Sequence, residues 1–197
     1  GRCHLEGWNK AQGAEVVAVA DSDPKRAAGD LSGGWGNIDA GTEMIDMDRV
    51  TGTTDPHELI AMENVDVVDV CVPTPFHAEL AIAALEAGKH VVCEKPLART
   101  AADAQRIAAA AAASPGMFMA GMCIRFWPQY KWLKDAVESK AYGKVLGATF
   151  RRMGSMPPGW FANAEMSGGA ALDLHLHDTD FVQYLLGTPA AVSSCGY

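Results

Sequence analysis

The sequence lacks paired cysteines, a basic surface and an unbroken apolar run of membrane length. Its 197 residues include five scattered cysteines and no CxxC motif, so neither a disulfide framework nor a zinc ribbon is indicated, and a reducing cytoplasm fits best. The formal net charge of -8 would repel a nucleic-acid backbone. One uncharged stretch, 107–124, is long enough for a membrane span but is interrupted by Ser114-Pro115-Gly116. We therefore expect neither a nucleic-acid nor a membrane partner.

The composition is that of a folded domain. Apolar residues make up 49% of the chain and charged residues 20%, which excludes disordered, collagen-like and coiled-coil classes. At roughly 150 residues per domain, the chain has room for one large domain, or for one domain and part of a second.

Short apolar runs alternate with helix-start signals through the first two thirds of the chain. This alternation is typical of βαβ units and predicts an α/β fold with a parallel sheet. We predict strands at 14–20, 65–72, 90–94 and 117–124. We predict helices at 2–10, after Asp23-Pro24, after Asp55-Pro56, at 75–87 and after Thr100, and a Gly-rich loop at 29–41.

The pattern changes after Phe126, where we predict the start of a second domain. Its predicted elements are a helix at 128–139, a strand at 145–153, a loop, a helix at about 171–186 and a strand reaching Tyr197. We place the boundary so that the domains span 1–124 and 125–197.

Asp21 lies at the end of the first predicted strand, 20 residues after Gly1. A dinucleotide-binding fold places an acid about 20 residues beyond its Gly-rich turn, so Gly1 would be the last glycine of that turn. A carboxylate there accepts hydrogen bonds from both ribose hydroxyls and repels a 2′-phosphate, which favours NAD over NADP. Lys25 and Arg26 weaken that preference slightly. Asp21 is equally consistent with a residue that opens a turn.

The tripeptide Glu94-Lys95-Pro96 follows another predicted strand, at the edge where open α/β sheets bind ligands. A glutamate there can bond ribose hydroxyls, and a lysine can polarise a substrate oxygen. Pro96 permits a cis peptide bond that would aim the lysine. Without further context, such a tripeptide is more often an exposed turn.

Asp173 and His177 lie four residues apart on a predicted helix, so their side chains should meet on one face. A carboxylate beside an imidazole raises its basicity, which a general base near neutral pH needs. The alternative is an ordinary surface pair. On a helix, His175 and His177 point in different directions and would not share a metal ion. On a strand they would lie on one face, and a shared metal ion would then be possible.

Two further segments are candidates for the cofactor cleft. The turn Pro73-Thr74-Pro75, with His77, would present a helix N-terminus and a hydroxyl to a cofactor, but a simple turn with a helix cap accounts for it equally well. Arg125 would either reach into the cleft or lie solvated at the domain junction.

Three segments together resemble the Gfo/Idh/MocA family of NAD(P)-dependent oxidoreductases. They are VDVVDVCVPTPFHAELAIAALEAGKHVVCEKPLA (65–98), IRFWP (124–128) and GGAALDLHLHDTDF (168–181). The resemblance implies a Rossmann-type doubly wound parallel sheet followed by a domain with an open, mostly antiparallel sheet. It also implies hydride transfer between nicotinamide and a secondary carbinol of a sugar, cyclitol or related polyol, with no catalytic metal.

The resemblance implies a role for each candidate. Lys95 would bond the reacting oxygen, His177 would take or give its proton, and Asp173 would support this cluster. The cofactor would be contacted by Glu94 at the nicotinamide ribose, Asp21 at the adenosine ribose, Thr74, Pro75 and His77 along the cleft, and Arg125 near the nicotinamide end.

The chain departs from the family pattern at both ends. The first strand and the first two glycines of the dinucleotide fingerprint precede Gly1 in the family, so we expect this stretch alone to bind cofactor poorly. From the resemblance we expect these residues to hold only the first elements of the second domain, whose open sheet commonly forms the interface of a homo-oligomer in the family. His175 stands where many members carry a small residue.

Two other functions stay open at this point. An NAD-retaining glycosidase of the same family would oxidise and reduce its substrate within one turnover, without net NADH. A non-catalytic sugar or nucleotide sensor, or an inactive fragment, would bind without chemistry, although the complete set of Glu94, Lys95, Asp173 and His177 argues against it.

Overall fold

Parallel strands form the centre of the computed structural model, which describes residues 1–32, 45–154 and 159–195. In these residues the strands are β1 (Ala18–Ala20), β2 (Thr51–Thr53), β3 (Val67–Val70), β4 (His90–Cys93) and β5 (Phe118–Ala120). β1 pairs with β2, and β3, β4 and β5 pair in that order, all in parallel. This arrangement matches strands 3-2 and 4-5-6 of the doubly wound order.

Helices connect the strands and continue beyond them. They are α1 (Arg2–Lys10), α2 (Pro24–Ala27), α3 (Pro56–Ala61), α4 (His77–Glu86), α5 (Ala101–Ala113), α6 (Pro128–Glu138), α7 (Ala164–Ser167), α8 (Gly169–Asp173) and α9 (Leu176–Leu186). Short 3₁₀ turns span Thr74–Phe76, Cys123–Phe126 and Gly159–Ala162. In the part of the chain that is described, no helix is both long and apolar enough to cross a bilayer.

The predicted helix starts are confirmed by their caps. The Asp23 and Asp55 carboxylates accept the backbone N–H groups of Lys25 and His57, in each case beside a proline in the first turn. The Thr100 hydroxyl oxygen accepts the Asp103 N–H. These side chains satisfy donors that the first helical turn leaves unpaired, which is why the sequence signals were informative.

The core lies under β3 and β4 and is closed by α4. It contains strand side chains such as Val70 and Val91 and helix side chains such as Ala84 and Leu85, all at most 3% exposed. A separate cluster holds the later part of the chain together around Phe181, which is 0% exposed. The core under β3 and β4 supports the strand ends that carry the candidate site residues.

The strand prediction needs correction, first at β1 and β2. The strand predicted at 14–20 forms over Ala18–Ala20 only, and β2 at Thr51–Thr53 was not expected. β2 is short and largely exposed, and it exists because it pairs with β1. Its central residue must be glycine, because a Cβ on Gly52 would lie 2.0 Å from the Ala27 carbonyl oxygen.

The strand predicted at 145–153 is wrong, since residues 143–154 are irregular. The alternation of side chains there suits a strand, but no strand among the described residues lies alongside to accept its backbone hydrogen bonds. Residues 187–195 are likewise irregular where a strand was expected. Most of the predicted loop at 29–41, and residues 155–158 of the loop predicted after residue 153, lie outside the described residues.

Candidate active site

Lys95 and Asp173 meet although they are far apart in sequence. Lys95 follows β4, and its Nζ donates hydrogen bonds to the backbone carbonyl of Asp173 at 2.6 Å and to its carboxylate Oδ1 at 3.2 Å. Both side chains are largely buried, at 16% and 14% exposure. The Lys95–Pro96 peptide bond is cis. An ammonium has three donors, so these two contacts leave one for a ligand.

The helix predicted over 171–186 is broken, which corrects the expected pairing of Asp173 with His177. α8 ends at Asp173 and α9 begins at Leu176. The Ala170 carbonyl accepts the N–H groups of both Leu174 and His175, and the second of these bonds spans five residues. In an unbroken helix the Asp173 carbonyl would accept the N–H of His177. Here it accepts Lys95, so Asp173 partners the lysine.

His177 lies at the start of α9 with a buried Nδ1 that has no hydrogen-bond partner among the described residues. Burial lowers the pKa of His177, and the positive charges of Lys95 and Arg152 lower it further. The imidazole is therefore neutral near pH 7. A neutral imidazole beside an ammonium can accept a proton from a ligand that the ammonium binds.

The Glu94 carboxylate is fixed through both oxygens. Oε1 lies 2.8 Å from Nε2 of His4, and Oε2 accepts the backbone N–H of Lys95 at 2.9 Å. Burial favours the neutral acid, but these two hydrogen bonds outweigh it and lower the pKa of Glu94. A Cβ on Gly121 would lie 3.2 Å from the Glu94 Cα, so the end of β5 packs closely against this residue. Glu94 is therefore ionised and rigidly placed.

Thr74 and His77 lie in the connection from β3 to α4. The Thr74 hydroxyl is buried and has no partner among the described residues. The ring nitrogens of His77 each lie 2.7 Å from a carbonyl oxygen, of Pro96 and of Val72. His77 thus joins the loop after β3 to the loop after β4, and its contact with a cofactor stays a prediction, as does that of the neighbouring Pro75.

Asp21 follows β1, as predicted, and is held by Arg26. The guanidinium donates to both carboxylate oxygens, at 2.8 and 2.7 Å, and the Asp23 N–H donates to Oδ1. Burial would raise the pKa of Asp21, but the hydrogen bonds from Arg26 and the Asp23 N–H, together with the Arg26 charge, outweigh it and lower that pKa. The acid is therefore ionised and paired with a cation, and its contact with an adenosine ribose stays a prediction.

Gly1 stands at the N-terminus of α1, and its carbonyl accepts the Leu5 N–H. A Cβ built on Gly1 would lie 3.8 Å from the Cys71 Cβ, an ordinary contact. Gly1 is therefore next to the carboxyl end of β3, as a residue of a dinucleotide-binding turn would be. Its role in binding stays a prediction.

Ion pairs join α9 to its surroundings. The Arg125 guanidinium donates to both oxygens of Asp180, with Nε at 2.7 Å, and lies 4.6 Å from the centre of the Tyr184 ring. Arg125 is thus anchored to α9, and its contact with the nicotinamide end of a cofactor stays a prediction.

Asp178 is the hub of a second set of contacts. It is 4% exposed and accepts hydrogen bonds from Nε and Nη2 of Arg152 at 2.8 and 2.9 Å. His175 Nδ1 lies 3.0 Å from the same carboxylate. His175 therefore points to Asp178 rather than sharing a ligand position with His177.

Sequence reasoning missed His4 and Arg152. Neither belongs to a motif with a known spacing, and each matters through a partner distant in the chain. Arg26 was noticed only as a nearby charge. The capping pattern Asp23-Pro24 could have shown that Arg26 is one turn from Asp21, since a helix starting at Pro24 brings its third residue back over the preceding strand end.

The chain matches two family descriptions. Residues 1–122 match an oxidoreductase family with an NAD-binding Rossmann fold, and residues 130–196 match the GFO/IDH/MocA C-terminal domain. Myo-inositol 2-dehydrogenase of Thermotoga maritima is 42% identical over 135 residues, covering 68% of this chain and 40% of that protein. D-glucoside 3-dehydrogenase of Escherichia coli is 34% identical over 185 residues, covering 91% of this chain and 48% of that protein.

A solved structure of levoglucosan dehydrogenase in complex with NADH and levoglucosan has the same fold. Its TM-score is 0.73 at 27% identity, covering 94% of this chain and 49% of that one. This chain therefore spans about half of these relatives or less. The two family matches together cover most of the chain, and they agree with its parallel sheet and with Glu94 and Lys95 at a strand end. The chain therefore belongs to the Gfo/Idh/MocA family of oxidoreductases, whose N-terminal domain is an NAD-binding Rossmann fold.

Proposed function

We propose that the full-length protein is an NAD-dependent oxidoreductase acting on a secondary alcohol of a sugar, cyclitol or related polyol. The observation that carries the proposal is the Lys95 ammonium, which is buried against Asp173 and keeps one N–H free to donate to a ligand. Its positive charge also acts on His177, whose lowered pKa leaves the imidazole neutral. This is an acid and a base of the kind that alcohol oxidation needs at one oxygen.

The residues would divide the work as follows in the oxidative direction. Lys95 donates a hydrogen bond to the substrate hydroxyl oxygen and stabilises the negative charge that develops there. His177 accepts the hydroxyl proton as the C–H bond breaks and its electron pair leaves as hydride. Asp173 keeps the ammonium in place through its carbonyl and carboxylate. In the reductive direction the same imidazole, now protonated, returns the proton.

The described residues fit a dinucleotide. Thr74 has a buried hydroxyl without a partner among the described residues, and Glu94 is ionised and held through both carboxylate oxygens. A ligand could satisfy the remaining hydrogen-bonding capacity of both groups. When bound, NAD supplies the acceptor for the hydride. Glu94 would hold its nicotinamide ribose and Asp21 its adenosine ribose. Arg125 would lie near the nicotinamide end, and the rest of the dinucleotide cleft would be lined by Gly1, Thr74, Pro75 and His77.

The choice of NAD over NADP rests on Asp21, whose carboxylate would repel a 2′-phosphate. Arg26 neutralises part of that charge, because it donates to both oxygens. We propose NAD as the main cofactor, with measurable use of NADP.

The substrate class is supported by the relatives, which are named as dehydrogenases of myo-inositol and D-glucosides and, among the structures, of levoglucosan. All three names denote ring compounds with several secondary hydroxyl groups. We propose further that the domains meet at residue 124, that the full-length protein is a homo-oligomer and that it acts in the cytoplasm. All five cysteines are free thiols, which suits a reducing compartment.

The test is titration of the full-length protein with NAD and NADP, followed by addition of pooled cyclitols and sugars. The proposal expects binding of NAD and formation of NADH that depends on the polyol. Binding without NADH, together with cleavage of glycosides, would indicate the NAD-retaining glycosidase instead. Binding of neither nucleotide by a folded protein would refute the proposal.

A further inference from the structure

We propose that His4 is a positioning residue, a bridge between Asp69 and Glu94 that fixes the Glu94 carboxylate for the nicotinamide ribose. The inference rests on the proposed function. It assigns a role to the first turn of α1, to which no motif in the sequence had pointed.

The bridge is defined by four short contacts. His4 Nδ1 lies 3.0 and 2.9 Å from the two Asp69 oxygens, and Nε2 lies 2.8 Å from Oε1 of Glu94. Trp8 Nε1, one turn further along α1, donates to Oδ2 of Asp69 at 2.6 Å. One imidazole therefore connects α1, β3 and the end of β4.

Both nitrogens of His4 face carboxylates, so both must donate, and the ring must be an imidazolium. Hydrogen bonding to Asp69 is the main cause that raises the pKa of His4 to about 12, with contributions from Cys71 and Glu94 that outweigh burial. Burial opposes the charge on Asp69, but the hydrogen bonds from His4, Trp8 and Cys71 and the charge of His4 together outweigh it and lower the pKa of Asp69. The cation is therefore present throughout the physiological pH range.

The bridge matters for Glu94 because it fixes one of the two oxygens. The Lys95 N–H holds Oε2 and His4 holds Oε1, so the carboxylate cannot rotate about its last bond without breaking a contact. Ionised carboxylates have about four acceptor positions, and these contacts leave some of them for ribose hydroxyls. Without His4, Oε1 would lose its only charged partner among the described contacts.

A metal ion is the other reading of this cluster, because His4, Asp69 and Cys71 bring possible ligand atoms within 4.8 Å of one another. A bound metal would need a lone pair on one imidazole nitrogen. Both nitrogens instead lie within 3.0 Å of carboxylate oxygens, so the geometry points to an imidazolium.

The bridge could also act only as a structural link that holds α1 against β3. The two roles differ in what a substitution changes. A structural link affects all nucleotide binding, because α1 begins where the dinucleotide-binding turn ends. A positioning residue affects only ligands that contain the nicotinamide ribose.

The test uses His4→Gln in the full-length protein, with dissociation constants measured by calorimetry for NAD and for ADP, which lacks the nicotinamide ribose. We expect NAD binding to weaken roughly tenfold, the loss of one hydrogen bond to a charged group, while ADP binding stays unchanged. The matched control is His57→Gln, since His57 is an exposed histidine that lies 3.7 Å from a single carboxylate, Glu79. It should leave both constants unchanged.

A second comparison asks whether His4 acts through Glu94. The double variant His4→Gln/Glu94→Gln should bind NAD no more weakly than Glu94→Gln alone, because the partner has already lost its charge. Additive losses, equal losses of NAD and ADP, or no loss with His4→Gln would each overturn the inference while leaving the proposed function standing. Failure of the wild-type protein to bind NAD would overturn both.

Discussion

Replacement of Lys95 by methionine is the most informative single change in the proposed mechanism. Methionine keeps most of the length of the side chain but removes the ammonium that contacts the Asp173 carbonyl and carboxylate. The change therefore removes the donor for the substrate oxygen and leaves a carboxylate of 14% exposure without its cation.

The magnitude follows from what the ammonium does. Acid–base and hydrogen-bond assistance at a reacting oxygen is worth about 10²- to 10⁴-fold in turnover, which corresponds to about 3–5 kcal/mol of activation free energy. Loss of the Lys95–Asp173 contact should also cost about 1–3 kcal/mol of folding stability. The catalytic effect must therefore be separated from the structural one.

Lys89→Met provides that separation. Lys89 Nζ also donates to a backbone carbonyl, that of Met62, at 2.8 Å, but it follows α4 at the opposite end of β4 from Lys95. Both variants should lose some thermal stability, whereas only Lys95→Met should lose turnover. The assay is single-turnover NADH formation by absorbance, at a temperature where both variants are folded.

Turnover of Lys95→Met within about threefold of the Lys89→Met control, well short of the 10²-fold minimum loss expected, would refute a role of Lys95 at the reacting oxygen. A loss accounted for wholly by NAD binding, rather than by the chemical step, would refute that role as well. Partial recovery of Lys95→Met by added methylammonium would support a direct role of the charge at the reacting oxygen.

Three further predictions concern charge. Burial and the Lys95 cation lower the pKa of His177, so the acid limb of the pH profile of kcat/KM should lie below pH 6.5. Lys95→Met should move that limb to higher pH. A limb above pH 6.5 in the wild type would contradict the role of His177 as the general base. Asp21→Ser frees the Arg26 guanidinium for a 2′-phosphate, so the ratio of kcat/KM for NAD over NADP should fall by at least about tenfold; an unchanged ratio would remove Asp21 from the cofactor site. The pKa of His4 is raised in the folded state, so the contribution of its charge to stability is complete below pH 6.5 and declines as pH rises toward about 12. The difference in melting temperature between wild type and His4→Gln should therefore shrink over that pH range. A growing difference would refute the ion bridge.

The central strands and their helices could be predicted from sequence because local signals agree with the fold. β3 lies in a β-branched apolar run, and α4 ends at Glu86, two residues before Gly88, whose positive φ of 77° suits glycine. α5 begins at the hydroxyl of Thr100. Each of these features depends on neighbours within a few residues, which is what a sequence pattern records.

The break between α8 and α9 could not be predicted in the same way. The segment from Asp173 to His177 contains no glycine or proline, and its leucines and histidines fit one helix. The break is accompanied by a contact between the Asp173 carbonyl and Lys95, 78 residues earlier in the chain. Residue spacing therefore predicted a pairing of Asp173 with His177, whereas the structure pairs Asp173 with Lys95.

β2 and the His4 bridge could not be predicted either, because both depend on partners that are distant in the sequence. A three-residue strand with a central glycine has no apolar run, and only its partner β1 makes it a strand. His4 resembles any polar residue in the first turn of a helix until Asp69 and Glu94 are placed beside it, 65 and 90 residues away. Long-range partners of this kind are visible only in the folded structure.

The most direct test of the proposed chemistry is isotope transfer. The full-length protein is incubated with NAD and a polyol that carries deuterium on its secondary carbinol carbons, and the nicotinamide product is examined by mass spectrometry and NMR. The account predicts reduced cofactor with deuterium at C4, formed by the wild type and strongly reduced in Lys95→Met and His177→Asn. Reduced cofactor without deuterium, or deuterium transfer that both variants perform at the wild-type rate, would contradict it.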